Sequence, residues 1–498
     1  MEVPWHEVDR ILQGLATDAE HSVEVRREAI PLIFVPGIMG SRLRLAGSDG
    51  TGSNAQGLPN LRWDTDTGWL FGNLAFRGAE RRKALVIGDA FDPDYLEPDN
   101  DSPAGNGFRS VIRKYDPILN TLKNHDWGVL GKLFTFPVYA FGYNWTGDAA
   151  AAGAKLAARI VEIKSEAEAA TGRCEGVILI THSMGGLVAR AACKLAGAAG
   201  DVLGVVHGVQ PAWGSPAAYW RIKAGFEGGG IENTIVSFLL GGDGRRTTVI
   251  LGNSIGGLEL LPNKHYVRND GTTRSWLAVT DTDGRRWMPD KPARGNPYDE
   301  IYRVRAEVEK PATGNPSTNT WWGLIDPDLL RPEYAGAGDD DNAIDAVMGE
   351  AVSAWDSYLG LLAQAEAFHD AVGTYSHSRT HYFWGTGHAT AEAIRYEVES
   401  NWVWSDPYRT RGFLGLFRNA DGEQMQAVLQ AHDGDGDGTV PVSSARFAGA
   451  APAACGDPAP QPLPVEHQPA YDDGQTQQFT VCAVTAIVHE RFKAMRGA

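Results

Sequence analysis

Cysteine is scarce in this sequence. Among the 498 residues the cysteines are Cys174, Cys193, Cys455 and Cys482. They form no Cys-x-x-Cys pair, and two of them lie in predicted core elements. We therefore expect reduced thiols rather than a disulfide framework or a zinc site.

Positive charge is also in short supply. The chain has 45 Lys and Arg residues against 62 Asp and Glu residues, which gives a net charge of −17. This balance argues against nucleic-acid binding and against electrostatic adsorption to anionic lipid. Any membrane contact would have to be hydrophobic.

Long apolar runs are missing as well. No stretch approaches the roughly 18 residues that a membrane-spanning helix needs. Residues 1–7 lack the basic and apolar regions of a signal peptide. We expect a soluble protein that is either cytoplasmic or exported by a non-classical route.

The sequence does contain apolar strands that alternate with helical patterns. Strands that are separated by helices predict right-handed β-α-β units and a parallel sheet, so we expect an α/β fold in one domain over residues 1–498. The predicted strands are 30–35, 136–143, a segment from 176 up to the helix at 187–196, 202–209 and 380–385, and a further helix is predicted at 148–169.

Three segments break this alternation and are interpreted as insertions. Residues 47–115 are rich in Gly, Asn, Asp and Trp, as expected of a substrate- or membrane-facing loop region. Residues 217–262 are a lid candidate, although an amphipathic helix packed on the core explains their apolar run equally well. Residues 265–375 are a cap insertion with one amphipathic helix at 343–372, and residues 402–417 favour a packed hairpin over a lipid anchor.

Residues 176–186 have the pattern of a nucleophile elbow. An apolar strand runs into His-Ser-Met-Gly and directly into a helix. Such a turn exposes a serine hydroxyl to a histidine and to backbone N–H groups, and it requires small residues nearby. Gly185 and Gly186 satisfy this requirement after Ser183, whereas Thr181 occupies the earlier position where G-x-S-x-G has glycine.

Residues 432–441 allow two interpretations. As a calcium loop, they would place Asp433, Asp435 and Asp437 at the first ligand positions of an EF-hand, but Ser444 stands where a bidentate Glu is needed. As a catalytic loop, they would provide one aspartate to orient a histidine during acyl transfer. We favour the catalytic acid and keep calcium at Asp433 and Asp435 as the minor alternative; no other cofactor is expected.

A histidine must complete the set. In the chain order Ser, Asp, His of the α/β-hydrolases, the candidates are His467 and His489. His467 lies on a loop before the last helix, whereas His489 lies inside the apolar helical run 481–492, so we favour His467. His182, next to the serine, needs no role beyond packing and hydrogen bonding.

Several short motifs are spread along the chain. They are Val-Pro-Gly-Ile-Met-Gly at 35–40, Tyr-Asn-Trp at 143–145, His-Ser-Met-Gly at 182–185, Ala-Trp-Gly-Ser at 212–215, Tyr-Phe-Trp-Gly-Thr-Gly at 382–387 and Asp-Gly-Asp-Gly-Thr-Val at 435–440. Together these motifs resemble the lecithin:cholesterol acyltransferase family, which includes lysosomal phospholipase A2. The resemblance extends in register from about residue 33 to residue 467.

The resemblance implies an α/β-hydrolase fold with large cap and lid insertions and assigns further residues. It implies an oxyanion hole at the backbone N–H groups of Met39 and Met184. It selects Asp437 rather than Asp435 as the catalytic acid and again selects His467. Trp145 and Trp213, which lie in two of the motifs, are the expected substrate-binding residues.

The expected function is that of a serine lipolytic hydrolase or acyltransferase. It would cleave carboxylic esters of phospholipids or acylglycerols through an acyl-enzyme on Ser183, with transient membrane contact through the apolar insertions. A carboxylesterase for soluble esters and a bacterial phospholipase toxin effector are the enzymatic alternatives. A calcium-binding interaction module with a vestigial serine is the alternative from another class.

Overall fold

The computed structural model describes most of the chain. The described residues are 27–46, 62–64, 96–99, 108, 110–226, 244–306, 320–330, 341–400, 413–419, 421–431, 433–447 and 458–497. Their strands are β1 (Glu28–Ala29), β2 (Leu32–Val35), β3 (Leu43–Leu45), β4 (Arg62–Trp63), β5 (Leu96–Pro98), β6 (Phe134–Thr135), β7 (Val138–Ala140), β8 (Val177–His182), β9 (Val202–Gly208), β10 (Leu277–Asp281), β11 (Thr380–Gly385), β12 (His388–Thr390), β13 (Ile394–Glu399), β14 (Phe413–Arg418), β15 (Gln424–Leu429), β16 (Gly434–Gly436) and β17 (Gln461–Leu463).

The α-helices lie between and beside these strands. They are α1 (Asp116–Asn124), α2 (Leu130–Leu133), α3 (Ala149–Thr171), α4 (Gly185–Lys194), α5 (Pro216–Ala224), α6 (Gly244–Leu251), α7 (Ile255–Leu258), α8 (Asp341–Val372), α9 (Val442–Ala445) and α10 (Gly474–Gly497). Among the described helices, none is both long enough and apolar enough to cross a membrane.

The central sheet of the described residues is parallel throughout. Its strand order is β17-β11-β9-β8-β2-β7, and every neighbouring pair runs in the same direction. All residues of β2 and β8 are buried. A parallel sheet is covered on both faces, which explains why β2 and the first four residues of β8 are apolar without interruption.

Alternate residues of β2 and β8 belong to two different cores. Successive side chains of a strand point to opposite faces of the sheet. Ile33 and Leu179 pack in the core that contains the apolar residues of α3 and α4. Phe34 and Ile180 pack in the second core, with residues of α1 and α10. The sheet therefore lies between two helical layers, and the predicted α/β class is confirmed.

Most predicted core elements are present close to the predicted boundaries. The strand at 380–385 has those bounds, and the strand at 202–209 ends one residue earlier. Helix α3 begins directly after Asp148, whose carboxylate accepts a hydrogen bond from the Ala150 amide, and it is followed by Gly172 in the left-handed conformation. These are common signals for the start and the end of a helix.

One predicted strand is wrong in its extent. Residues 136–143 form β7 over Val138–Ala140, and Phe134–Thr135 form the separate strand β6. Pro137 lies between them and has no N–H to donate to a ladder. Strand β6 pairs with β1 and β7 pairs with β2, so the chain changes its partner at the proline.

Several segments form structure outside the central sheet. The predicted helix at 343–372 is α8, and β10, β13, β15 and β14 form a second sheet. Of the hairpin predicted at 402–417, residues 402–412 lie outside the described residues. The remaining residues belong to β14, which pairs antiparallel with β15, a strand beyond the predicted bounds. The apolar run of the lid candidate, 235–240, also lies outside them. The division into one domain with three insertions stays a prediction.

The described cysteines are free thiols. Cys174 and Cys193 are buried and Cys482 is partly buried. Burial raises the pKa of the Cys193 thiol to about 12, so this side chain stays protonated at neutral pH. These three cysteines form no disulfide with one another, and Cys455 lies outside the described residues, so reduced thiols stay a prediction.

Candidate active site

Ser183 lies in a strained turn between β8 and α4. Its φ is 51°, in the left-handed region that residues with a side chain rarely adopt. A Cβ on Gly185 would lie 2.3 Å from the Val35 carbonyl oxygen, so only glycine fits there. Thr181 is accommodated because its hydroxyl points to the next strand, where it lies 2.8 Å from His207 Nδ1.

The three residues predicted as nucleophile, base and acid lie in one hydrogen-bonded chain. His467 Nε2 is 2.8 Å from Ser183 Oγ, and His467 Nδ1 is 2.7 Å from Asp437 Oδ2. All three residues are buried. Since a carboxylate only accepts, Nδ1 carries the proton and Nε2 is left to accept from the serine hydroxyl. This arrangement suits proton abstraction from a serine during nucleophilic attack.

Two loops at the carboxyl ends of the strands bring the acid and the base together. The second oxygen of Asp437 accepts hydrogen bonds from the amides of Thr439 and Val440 at 2.9 and 2.7 Å. The His467 amide donates to the Asp437 carbonyl at 2.9 Å. Gly385, at the end of β11, permits this approach because a Cβ there would lie 2.4 Å from the Cβ of Asp437.

The other two aspartates of the same loop have different partners. Asp435 accepts a hydrogen bond from the Gly387 amide at 2.6 Å. Asp433 pairs with Arg395 at 2.7 Å and with Arg268 at 3.4 Å. Over the part of the chain that the structure describes, no group of three or more His, Cys, Asp or Glu side chains could hold a metal ion. The geometry therefore gives no support to the calcium alternative at Asp433 and Asp435.

Met39 and Met184 are both close to Ser183: Met39 lines the same cavity as the serine, and Met184 is the next residue in the chain. Met39 follows β2 and has a φ of 62°, and Met184 is the residue directly before α4. Within the described residues, neither amide donates a hydrogen bond to the protein. A helix N-terminus favours negative charge. Two unused amides at this position are what an oxyanion would require.

The loop that carries Met39 is held by residues that the sequence did not single out for this purpose. The Tyr143 hydroxyl donates to the Pro36 carbonyl at 3.0 Å, and the Gly37 amide donates to the Tyr115 hydroxyl at 3.1 Å. The indole N–H of Trp63 lies 3.3 Å from the Met39 carbonyl.

His182 is buried and hydrogen-bonded, which is the role that the sequence predicted for it. Its Nδ1 lies 3.0 Å from the Tyr115 hydroxyl, and its Nε2 lies 2.8 Å from the His467 carbonyl. Burial lowers the pKa of His182 to about 3. Its position next to Ser183 was the one signal in the sequence; Tyr115 offered none, because it comes near only through the fold.

A small cavity opens beside Ser183. Its volume is about 70 Å³, and Met39 and His467 also line it. Its other walls are mostly apolar, with Ile38, Ile222, Phe226, Leu251, Leu260 and Val440 among them. A larger cavity of about 650 Å³ lies between β7 and α3, but none of the three hydrogen-bonded residues lines it.

The two predicted substrate-binding tryptophans do not line the small cavity. Trp145 is fully buried and packs edge-on against Trp63 at a centroid distance of 5.1 Å. Trp213 stacks on Phe447 at 5.3 Å, with the Arg190 guanidinium 5.5 Å from its ring centroid. In this structure both indoles are core residues, and their contact with a substrate stays a prediction.

The comparisons with known proteins identify the fold. No family model and no curated protein matches the chain. A chain in the crystal structure of the Tle4–Tli4 complex matches 93% of this chain and 99% of its own length, with a TM-score of 0.67 and 24% sequence identity. This protein has the α/β-hydrolase fold. Phospholipase PlaB from Legionella pneumophila aligns with 64% of this chain and 77% of its own, at 14% identity and a TM-score of 0.19, which is too low to support an argument.

The α/β-hydrolase fold places the site where the fold usually carries its chemistry. Ligands of open parallel sheets bind beyond the carboxyl ends of the strands. Ser183 follows β8, Met39 follows β2 and the loop of His467 follows β17. The narrower resemblance to the lecithin:cholesterol acyltransferase family stays a prediction.

Proposed function

We propose that this protein is a serine hydrolase that cleaves carboxylic esters of lipids through an acyl-enzyme on Ser183. The observation that carries the proposal is the hydrogen-bonded chain from Ser183 through His467 to Asp437, next to an apolar cavity. Fold alone does not imply activity, so the argument rests on these side chains.

In the first half of the reaction, Ser183 Oγ attacks the ester carbonyl carbon. His467 Nε2 takes the hydroxyl proton, and the resulting imidazolium is stabilised by Asp437, which stays ionised. His467 then gives this proton to the leaving alcohol. The product is an ester between the acyl group and Ser183.

The oxyanion of the tetrahedral intermediate lies between the amides of Met39 and Met184. Donors that are already oriented need no reorganisation during the reaction, and one such donor typically lowers the barrier by about 2.7–4 kcal/mol. In the second half, His467 activates a water molecule that hydrolyses the acyl-enzyme. An alcohol in place of water would make the same enzyme an acyltransferase.

The apolar walls of the cavity support a lipid acyl group as the substrate. The side chains of Phe226, Leu251 and Leu260 offer an acyl chain no hydrogen bonds and exclude water from the ester. We assign phospholipid or acylglycerol as the substrate class, with transient membrane contact through the apolar insertions. A chain of net charge −17 would make that contact through apolar side chains rather than by attraction to anionic lipid.

The size of the cavity favours a second candidate. Its volume of about 70 Å³ is far below the roughly 300–1,000 Å³ of typical ligand pockets. A short acyl group fits this space without a change of structure, as in a carboxylesterase for soluble esters. The dependence of the rate on acyl-chain length separates the two candidates.

The toxin-effector alternative also stays a prediction. The solved chain with the similar fold comes from a complex of Tle4 with Tli4. The fold is therefore compatible with binding of a second protein. For this chain, such a partner would have to be found by experiment. An effector that acts on membranes would lose its toxicity in Ser183→Ala.

The first test is hydrolysis of p-nitrophenyl esters of increasing chain length and of phosphatidylcholine liposomes. We compare wild type with Ser183→Ala and, as a matched control, with Ser165→Ala, which removes an exposed hydroxyl on α3. Hydrolysis of long-chain esters or liposomes that is lost only in Ser183→Ala supports the lipid hydrolase. Activity confined to short esters supports the carboxylesterase, and hydrolysis that survives in Ser183→Ala contradicts both.

A further inference from the structure

Two tyrosine hydroxyls hold the peptide unit that joins Pro36 to Gly37. The Tyr143 hydroxyl donates to its carbonyl and the Tyr115 hydroxyl accepts from its N–H. Both tyrosines are at most 4% exposed, so water does not compete for these bonds. This peptide begins the short loop that ends in the Met39 amide.

The hydrogen bonds of His182 have one possible direction. The His467 carbonyl only accepts, so His182 Nε2 carries the proton and donates to it. In the neutral ring Nδ1 is then an acceptor, and the Tyr115 hydroxyl donates to it. Because that hydroxyl proton is used, the oxygen of Tyr115 is free to accept from Gly37 through a lone pair.

The hydrogen bonds of Tyr115 and His182 connect two loops. One is the oxyanion loop, residues 36–39, which carries the Met39 amide, and the other is the loop that carries His467. We propose that Tyr115 and His182 form a positioning relay that sets the distance between the Met39 amide and the imidazole of His467. The proposal rests on the proposed function, because it assigns the relay a role in the reaction of Ser183.

The main chain of His467 shows what the relay holds. Its amide donates to the Asp437 carbonyl at 2.9 Å, and its carbonyl accepts from His182. The imidazole is therefore fixed from both sides of its own Cα as well as through Asp437. Without the bond to His182, one of these two main-chain restraints is lost.

The oxyanion loop packs directly on the same ring. A Cβ on Gly37 would lie 2.8 Å from His182 Nδ1 and 3.0 Å from the Cβ of Ser183. A movement of the His182 ring would therefore be passed to both loops. In active sites, a misplacement of about 1 Å can lower the rate roughly 100-fold.

The test uses three variants in the full-length protein. Tyr115→Phe removes the central hydroxyl, His182→Phe removes both ring nitrogens, and His182→Gln keeps an N–H that can donate toward the His467 carbonyl. We measure kcat and KM on a short-chain p-nitrophenyl ester, together with thermal unfolding.

Two buried residues outside the relay provide matched controls. Tyr471→Phe removes a hydroxyl that donates to the Thr181 carbonyl at 3.0 Å. His207→Phe removes an imidazole that is 3% exposed, against 2% for His182, and whose partner is the Thr181 hydroxyl. Each control removes a buried polar group of the same kind as the matching relay variant, and neither group is hydrogen-bonded to Tyr115, His182 or His467. The Tyr471 ring, whose centroid lies 5.9 Å from that of His182, is kept in Tyr471→Phe.

We expect kcat of His182→Phe and Tyr115→Phe to fall by roughly 10–100-fold, with KM changed less than about twofold. His182→Gln should recover a large part of the loss. A variant that combines Tyr115→Phe with His182→Phe should be no slower than the slower of the two single variants, because both substitutions interrupt the same relay. Losses that multiply, or losses of equal size in the two controls, would overturn the proposal.

A second measurement does not depend on turnover. The proton between His467 Nδ1 and Asp437 gives a far-downfield NMR signal, which we expect to shift in His182→Phe and Tyr115→Phe but not in the controls. If the wild type hydrolyses no ester and the signal still shifts only in the relay variants, the proposed function fails and the relay geometry stands. If Ser183-dependent activity is present and the relay variants behave like the controls, the relay fails and the function stands.

Discussion

Asp435 and Asp437 lie two positions apart in one loop and have different partners. Asp437 contacts the imidazole of His467, whereas Asp435 accepts from the Gly387 amide. The spacing of the two residues cannot separate them, because either carboxylate could follow a strand and reach a histidine. The direction in which the loop turns after β16 decides between them.

This difference gives a prediction with a control in the same loop. In Asp437→Asn, the new amide can donate to His467 Nδ1 and favours the tautomer whose proton sits on Nε2, which cannot accept from Ser183. We expect kcat on a p-nitrophenyl ester to fall by about 10⁴-fold. Asp435→Asn keeps an acceptor for the Gly387 amide and should retain activity within about twofold. Equal losses of kcat in the two variants would show that the activity depends on the structure of the loop and not on the carboxylate of Asp437.

The elbow is the element on which the site depends. Strand β8 is buried along its whole length, and α4 begins within two residues of Ser183. The carbonyl oxygens of Val35 and Pro36 lie so close to Gly185 that a Cβ there would be 2.3 and 2.5 Å from them. The turn therefore fixes the serine and the start of the oxyanion loop together.

Substitution of Gly185, with Gly360 as the control, tests the elbow. Gly185→Ala forces backbone atoms apart, since the contacts are carbonyl oxygens rather than flexible side chains, and we expect the free energy of unfolding to fall by about 1–3 kcal/mol together with a loss of ester hydrolysis. Gly360 lies inside α8, where a Cβ would meet nothing within 4 Å. Gly360→Ala should raise stability by about 0.5–1 kcal/mol and leave activity unchanged. Urea unfolding of both variants measures the two shifts, and a stable, active Gly185→Ala would contradict the close approach.

At the scale of the whole molecule, buried histidines link stability to pH. Burial lowers the pKa of His182 and of His207 to about 3 and that of His369 to about 4, from an ordinary value of 6.5. As the pH falls below 6.5, the unfolded chain binds protons at these positions before the folded chain does. Protonation therefore favours unfolding, and each histidine lowers the free energy of unfolding by up to about 1.4 kcal/mol per pH unit.

A substitution of His369 isolates the contribution of one histidine to the pH dependence of stability. Its Nε2 donates to the Glu259 carbonyl at 2.8 Å. His369→Gln keeps an N–H donor but does not titrate, so the slope of the free energy of unfolding between pH 6 and 4 should decrease by up to about 1.4 kcal/mol per pH unit. Urea unfolding at a series of pH values gives the slope. A slope equal to that of the wild type would mean that His369 does not stay neutral in the folded protein.

Local sequence patterns were enough to predict the α/β class and the residue types of the candidate site. Uninterrupted apolar strands, helix signals such as Asp148 and Gly172, and the serine between a strand and a helix are local patterns, and their physical causes act over a few residues. The choice of His467 over His489 also had a local basis, since His489 stands in the apolar helical run 481–492, and the structure places it exposed on α10. For the same reason, the partner change at Pro137 could have been read from the proline.

Contacts between groups that are distant in the sequence could not be predicted in this way. His467 lies 2.8 Å from Ser183 across 284 positions of sequence, and Tyr115 reaches His182 across 67. The indoles of Trp145 and Trp213 likewise lie in the core and do not line the small cavity. Contacts of this kind depend on how strands and helices pack, and packing is set by the whole set of buried side chains rather than by the pattern around any one of them.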